Sequence, residues 1–262
     1  MSQYGTAVVT GASSGIGSVY ADRLASRGYD LLLVARRGDR LEQTARQLRE
    51  KYGISIEVLV ADLADQEDLA ALERRLVEKP VALLVNNAGA GGLGPTSVKG
   101  IDPQIGIIGL NIVALVRLSL AALAGFRAAG KGTLVNISSV VAFAPSAGGA
   151  TYSGSKAFVL NFTRSLAMEY AQSDIRIQAV LPGPIRTEFF TSQGLDNSVF
   201  PESAYISAEE LVDAALAGLD AGETVTVPTL ARAVLWDDIV AAQTRFLSDV
   251  VSGEVATRYQ SG

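Results

Sequence analysis

The stretch Ala7–Gly28, AVVTGASSGIGSVYADRLASRG, runs from a β-branched segment through three glycines, Gly11, Gly15 and Gly17, into a helical pattern. Glycine permits a tight turn and lets backbone approach a pyrophosphate closely, and the start of the following helix favours its negative charge. The spacing is G-x-x-x-G-x-G, not the more common G-x-G-x-x-G. By itself such a loop can be only a turn. After a strand, at the head of a βαβ unit, it reads as a dinucleotide loop, with Gly11, Ser13, Ser14, Gly15, Ile16 and Gly17 as candidate cofactor contacts.

The alternation continues along the chain. Apolar, β-branched runs recur near 5–10 (GTAVVT), 30–35 (DLLLVA), 55–61 (SIEVLVA), 81–86 (VALLVN), 132–138 (GTLVNIS), 175–182 (IRIQAVLP) and 224–230 (TVTVPTL). Their continuous apolar character predicts strands buried on both faces. Helical stretches lie between them. Leu41, Ala45 and Leu48 fall at helical spacing, and DQEDLAALERRLVEK opens with acids and ends with a lysine, which suits a helix dipole. The expected fold class is α/β: a doubly wound parallel (Rossmann) sheet in a single domain, 1–262, with helices on both faces and an extra C-terminal helix. Residues 188–206 read as a substrate lid and 231–262 as the C-terminal helix and tail.

Composition narrows the chemistry. Of 262 residues 48% are hydrophobic and 19% charged, which argues against disorder. There is no cysteine and no histidine, so disulfides, thiol chemistry, zinc sites built on those residues and histidine triads are excluded, and no metal is expected. Any acid or base at neutral pH must be a carboxylate, lysine or tyrosine with a shifted pKa. A net charge of -5 and a pI near 4.9 argue against a nucleic-acid partner. Ile105 to Phe126 is long and apolar, but Asn111 and Arg117 in its middle are costly in lipid, so a buried helix and no membrane are expected. The start lacks a basic stretch followed by an apolar core, and the expected location is cytoplasmic.

The second strand ends at Ala35 and is followed by Arg36 and Arg37, with no acid until Asp39. An acid here would bond an adenosine ribose 2′-hydroxyl and select NAD; arginine accommodates a 2′-phosphate. NADP is therefore favoured over NAD, with Arg36 as the leading phosphate ligand and Arg37 beside it. Asp62 and Leu63, after the third strand, are candidates to line the adenine, or Asp62 caps the next helix.

Farther along, ATYSGSKAF (150–158) places Tyr152 four residues before Lys156, one turn apart on the same helical face. Together with TGASSGIG (10–17), NNAG (86–89), Ser139 and PGPIRT (182–187), in that order, the pair resembles the short-chain dehydrogenase/reductase family over residues 5 to about 230. The resemblance implies a single-domain Rossmann fold that moves hydride between nicotinamide and a carbonyl or alcohol. It implies a catalytic set of Asn111, Ser139, Tyr152 and Lys156. Ser139, not Ser138, stands at the family's serine. Asn87, Ala88 and Gly89 correspond to the stretch beside the cofactor ribose, and Pro182, Gly183, Ile185 and Thr187 to that beside the carboxamide. Tyr152 and Lys156 also count as cofactor contacts. The chain departs from many members by continuing past the last strand through Trp236 and Phe246.

A free tyrosine has a pKa of about 10, and lowering it to about 7 takes roughly 4 kcal/mol of preferential stabilisation of the phenolate. The expectation is that Lys156 supplies much of this, with oxidised nicotinamide adding a second charge. Ser139 would hold the substrate oxygen, and Asn111, by resemblance, would anchor a water relay. Val141, Phe143, Ala144, Pro145, Ala90 to Leu93, Phe189, Phe190 and Phe200 would form a largely apolar substrate wall, hence a hydrophobic ketone or aldehyde. The alternatives are a 3-oxoacyl thioester reductase (carrier-protein or CoA linked) and a non-catalytic dinucleotide sensor. A homo-oligomer, dimer or tetramer, is expected from the apolar helices around Ile105–Phe126 and after Thr151.

Overall fold

In a computed structural model of the chain, residues 4–92, 94, 100–145, 147–191, 200–251 and 253–260 are described, Phe190 by its backbone only. The chain forms two compact units, 1–228 and 229–262.

The first unit is built on seven parallel strands in the order β3-β2-β1-β4-β5-β6-β7. They are β1 (Thr6–Thr10), β2 (Asp30–Ala35), β3 (Ile56–Val60), β4 (Leu83–Asn86), β5 (Lys131–Ile137), β6 (Asp174–Val180) and β7 (Val225–Thr226). The helices are α1 (Gly15–Ser26), α2 (Gly38–Tyr52), α3 (Gln66–Glu78), α4 (Ile101–Ala129), α5 (Ala150–Glu169), a short α6 (Glu188–Thr191) and α7 (Ala208–Asp220). The order reverses between β1 and β4, which opens the crevice where doubly wound sheets take ligands, beyond the carboxyl ends of their strands.

Strand alternation divides the apolar residues between two cores. Ala7, Val9, Leu31 and Leu33 pack on one face with Tyr20 and Leu24 of α1 and Leu211 and Leu216 of α7. Val8, Leu32, Val34 and Leu134 pack on the other with Leu72 and Leu76 of α3 and Leu118 and Phe126 of α4. Each such side chain contributes about 1.5–3 kcal/mol by leaving water. Burial on both faces explains why the β1, β2 and β4 runs are apolar almost throughout, whereas the edge strand β3 leaves Glu57 and Val60 exposed.

Two elements differ from expectation. The last strand is only Val225–Thr226, because its ladder with β6 runs into Pro182 on one chain segment and Pro228 on the other, and proline has no N–H to extend it. Helix α4 begins at Ile101 and widens to a π-helical turn at Gly109–Ala114, where Asn111 is drawn toward the loop after β4. It is the one helix among the described residues long and apolar enough to cross a membrane, and Leu115, Leu118, Ala122, Leu123 and Phe126 bury one side of it on the sheet. The second unit contains helix α8 (Val234–Val250) and a 3-10 turn at Thr257–Tyr259.

Candidate active site

The glycine loop adopts backbone that only glycine holds without strain: φ is 67° at Gly11 and 53° at Gly15. A Cβ on Gly17 would overlap the Gly11 carbonyl oxygen and lie 2.5 Å from Asn87 Nδ2. Asn87 Nδ2 donates to the Thr10 carbonyl at 2.9 Å, and Thr10 Oγ1 accepts from the backbone N–H of Asn87 and Ala88, each at 3.0 Å. The end of β4 and the glycine loop are thereby one rigid piece. At the start of α1 the Ser14 side chain makes no cap to the first turn, and no acid stands in that turn. Its N–H groups are left for an anion, and this cradle fits a dinucleotide pyrophosphate. Ile16 packs partly buried on the core, so its backbone is what the loop offers.

The two arginines after β2 go separate ways. Arg36 reaches toward Asp62 at 3.8 Å and stays 74% exposed. Arg37 turns back over the glycine loop, donating from Nε to Ser13 Oγ at 3.2 Å and from a terminal nitrogen to Ser14 Oγ at 2.5 Å. Asp62 also accepts from Ala64 N at 3.0 Å, while the cap of α3 is Asp65. Leu63 is buried in the core.

Asn111 is almost wholly engaged by its surroundings. Its Oδ1 accepts from Ala90 N at 2.8 Å, and its Nδ2 donates to the Ala90 carbonyl and to Ser155 Oγ, each at 3.0 Å. Behind it a buried amide ladder ties β4, α4, β5 and α5: Asn86 Nδ2 donates to Ser119 Oγ and Asn136 Oδ1, and Asn136 Nδ2 to Thr163 Oγ1.

Tyr152 and Lys156 stand on the first turns of α5, as their spacing predicts. Ser138 is spent on the chain, donating to the Lys156 carbonyl at 2.8 Å, whereas Ser139 makes only long bonds, donating to the Pro182 carbonyl at 3.3 Å and accepting from Val141 N at 3.4 Å. The Ser139 side chain is near enough to the Tyr152 phenol to lower its pKa. Lys156 Nζ donates to the Ile137 carbonyl at 3.0 Å and lies 5.8 Å from the centre of the Tyr152 ring.

Burial dominates the electrostatics of the pair. Burial pushes the Tyr152 phenol up to about 12, opposed by the Ser139 side chain. Burial brings Lys156 itself down to about 8, and its ammonium, held by the strand carbonyl, faces the ring.

The segment read as a lid is bounded by one short bridge, where Ile185 and Ile206 pair and Arg186 N donates to the Ile206 carbonyl at 3.1 Å. Thr187 closes on the glycine loop: a Cβ on Gly15 would sit 3.1 Å from its Cγ2. Phe189 lies 5.7 Å from Tyr152, ring centre to ring centre. Pro182 accepts from Val140 N at 3.0 Å, and Ile185 is buried in the core. Leu93, residues 192–199 of the expected lid and the Phe190 side chain lie outside the described residues. Sequence reasoning missed Ser155, Arg40 and Glu188. Ser155 and Arg40 each stand three residues after a chosen residue on a helix, a signal that could have found them; Glu188 carried none.

A phosphate cradle at the β1/β4 switch point, with serine, tyrosine and lysine brought together beside it, defines a dinucleotide-linked α/β protein. The family model for short chain dehydrogenases matches residues 5–198, and the chain belongs to that family. It is 44% identical to a short-chain dehydrogenase from Sphingobium yanoikuyae solved with NADPH, with a TM-score of 0.94 over 97% of this chain and 99% of that one. It is 40% identical to the bulky-bulky ketone specific alcohol dehydrogenase from Comamonas testosteroni, with a TM-score of 0.89 over 98% of each chain. Among curated proteins it is 37% identical to a very-long-chain 3-oxoacyl-CoA reductase of Anas platyrhynchos across 70% of this chain, and spans 60% of that relative's length.

Proposed function

We propose that the chain is an NADP(H)-dependent oxidoreductase that interconverts a carbonyl compound with a hydrophobic body and its alcohol. The observation that carries the chemistry is the meeting of Ser139, Tyr152 and Lys156 beside the glycine cradle. When bound, NADPH supplies the hydride, and its oxidised form a positive charge. Gly11 to Gly17 would hold the pyrophosphate, Arg37 and Ser14 the 2′-phosphate, and Asn87 to Gly89 the ribose. Ser139 donates a hydrogen bond to the substrate oxygen and holds it beside the phenol. Tyr152 gives that oxygen its proton in reduction and takes it back in oxidation. Lys156 is a positive neighbour below pH about 8 and keeps the ring in place. Asn111 fixes the Ala90 backbone and with it the loop that the ribose rests on. Phe189 and the half-exposed Phe143 wall the substrate space with apolar surface and exclude water.

Tyr152→Phe tests the reading. It should bind NADPH as the wild type does and lose about 10²–10⁴-fold in turnover; unchanged turnover would reject the assignment. Reduction of bulky ketones with NADPH but hardly with NADH is the expected pattern. A second reading, a 3-oxoacyl thioester reductase, is favoured by the Anas platyrhynchos relative, and a 3-oxoacyl-CoA in the same panel decides between them. We also propose a homo-oligomer. Ile101, Ile105, Val113 and Leu120 of α4 and Phe158 and Met168 of α5 are exposed apolar side chains that a second copy would cover. Sedimentation showing only monomer at micromolar concentration would count against it.

A further inference from the structure

One acidic side chain bridges the arginines that face the cofactor cradle. Glu188, the first residue of α6, accepts from Arg37 at one carboxylate oxygen and from Arg40 at the other, each at 2.8 Å. The same Arg37 guanidinium donates also to Ser13 and Ser14. The two cations hold the Glu188 carboxyl at about 2, Arg40 contributing most. A planar anion gripped by two guanidiniums beside the glycine loop is bound as a phosphate would be. Glu188 also sits between Thr187, which touches the glycine loop, and Phe189, which packs on Tyr152.

We propose that Glu188 is an internal anion that occupies the Arg37–Arg40 site and is displaced by the 2′-phosphate of the cofactor, so that phosphate binding releases helix α6. A phosphate monoester carries nearly twice the charge of a carboxylate and three acceptor oxygens, so it wins the competition. Exposed ion pairs are individually weak, so the lock yields at modest cost. Because Phe189 follows directly, the exchange reports the cofactor's phosphate to the substrate wall, and by linkage an α6 held by the two arginines weakens phosphate binding equally. This inference rests on the NADP(H) reading.

The test is equilibrium binding to the full-length wild type, Glu188→Gln and Glu188→Asp, using NADPH, NADH and adenosine 2′,5′-bisphosphate at fixed ionic strength. Glu188→Gln should bind NADPH and the bisphosphate about fivefold more tightly, the equivalent of one exposed ion pair given up, and NADH unchanged. Glu188→Asp keeps the charge but is too short to span both guanidiniums, and should behave like Gln. Weaker NADPH binding by Glu188→Gln would mean that Glu188 straps the cofactor in, and overturns the lock. So would equal tightening for NADH, or a Glu188→Asp variant identical to wild type, which would reduce the effect to general charge. If NADPH fails to bind the unaltered chain, the cofactor reading falls and the lock with it; if NADPH binds and the variants match wild type, only the lock falls.

Discussion

Lys156 Nζ stands 5.8 Å from the centre of the Tyr152 ring and donates to the Ile137 carbonyl, so the sheet, not the phenol, fixes the ammonium. Burial lowers Lys156 to about 8 from its ordinary 10.5. Between those values the unfolded chain carries a proton that the folded chain has released, so stability rises with pH across the window. Lys156→Met removes that contribution. Urea unfolding at pH about 7.5 and about 10 should therefore show wild type gaining on the variant as pH rises. Equal slopes would mean that Lys156 keeps its charge in the fold.

Asn111 is a positioning residue by its contacts, since it satisfies both backbone groups of Ala90. Asn111→Ala leaves a partly buried N–H and carbonyl unpaired, which costs about 2–4 kcal/mol. Thermal unfolding should fall by roughly 5–10 °C for a domain of this size. Asn111→Asp keeps the acceptor for Ala90 N, loses the donors, and should lie between. A melting temperature for Asn111→Ala within a degree of wild type would remove the residue from this role.

Gly17→Ala should be worse than its single added methyl suggests. The new Cβ has no room between the Gly11 carbonyl and the Asn87 amide, and both belong to the rigid joint between β1 and β4. Overpacking of this kind costs about 1–3 kcal/mol. NADPH affinity should fall with stability, read by cofactor fluorescence and by denaturant midpoint together. Wild-type affinity in a folded Gly17→Ala variant would show that the loop does not need this closeness.

The chain order of these parts was legible because each is a local pattern. The glycines sit between an apolar run and a helix, and Tyr152 and Lys156 are one turn apart, so spacing alone places them. What spacing could not give was direction at the strand ends. Arg36 and Arg37 leave β2 on opposite sides, as successive residues of an extended chain do, and the one that faces the glycine loop is Arg37. Nor could spacing give the acidity of Tyr152, which depends on where the Lys156 ammonium ends after burial. Glu188 meets Arg37 across 151 residues of chain, a contact that only the closed sheet creates.

The arginine pair gives the sharpest separation of cofactors. Arg37 touches both serines of the glycine loop, while Arg36 is 74% exposed and faces Asp62. Charge-assisted hydrogen bonds contribute about 1.5–3 kcal/mol each. Arg37→Ala should therefore weaken NADPH binding by about 10- to 100-fold and leave NADH within about twofold, since NADH lacks the 2′-phosphate. Arg36→Ala removes a guanidinium that pairs with Asp62 at 3.8 Å and should weaken NADPH less. Both affinities can be read from the fluorescence of the reduced nicotinamide on titration. If Arg36→Ala proves the more damaging of the two, the phosphate lies on the Asp62 side of the strand, and Arg37 and Arg40 serve Glu188 alone.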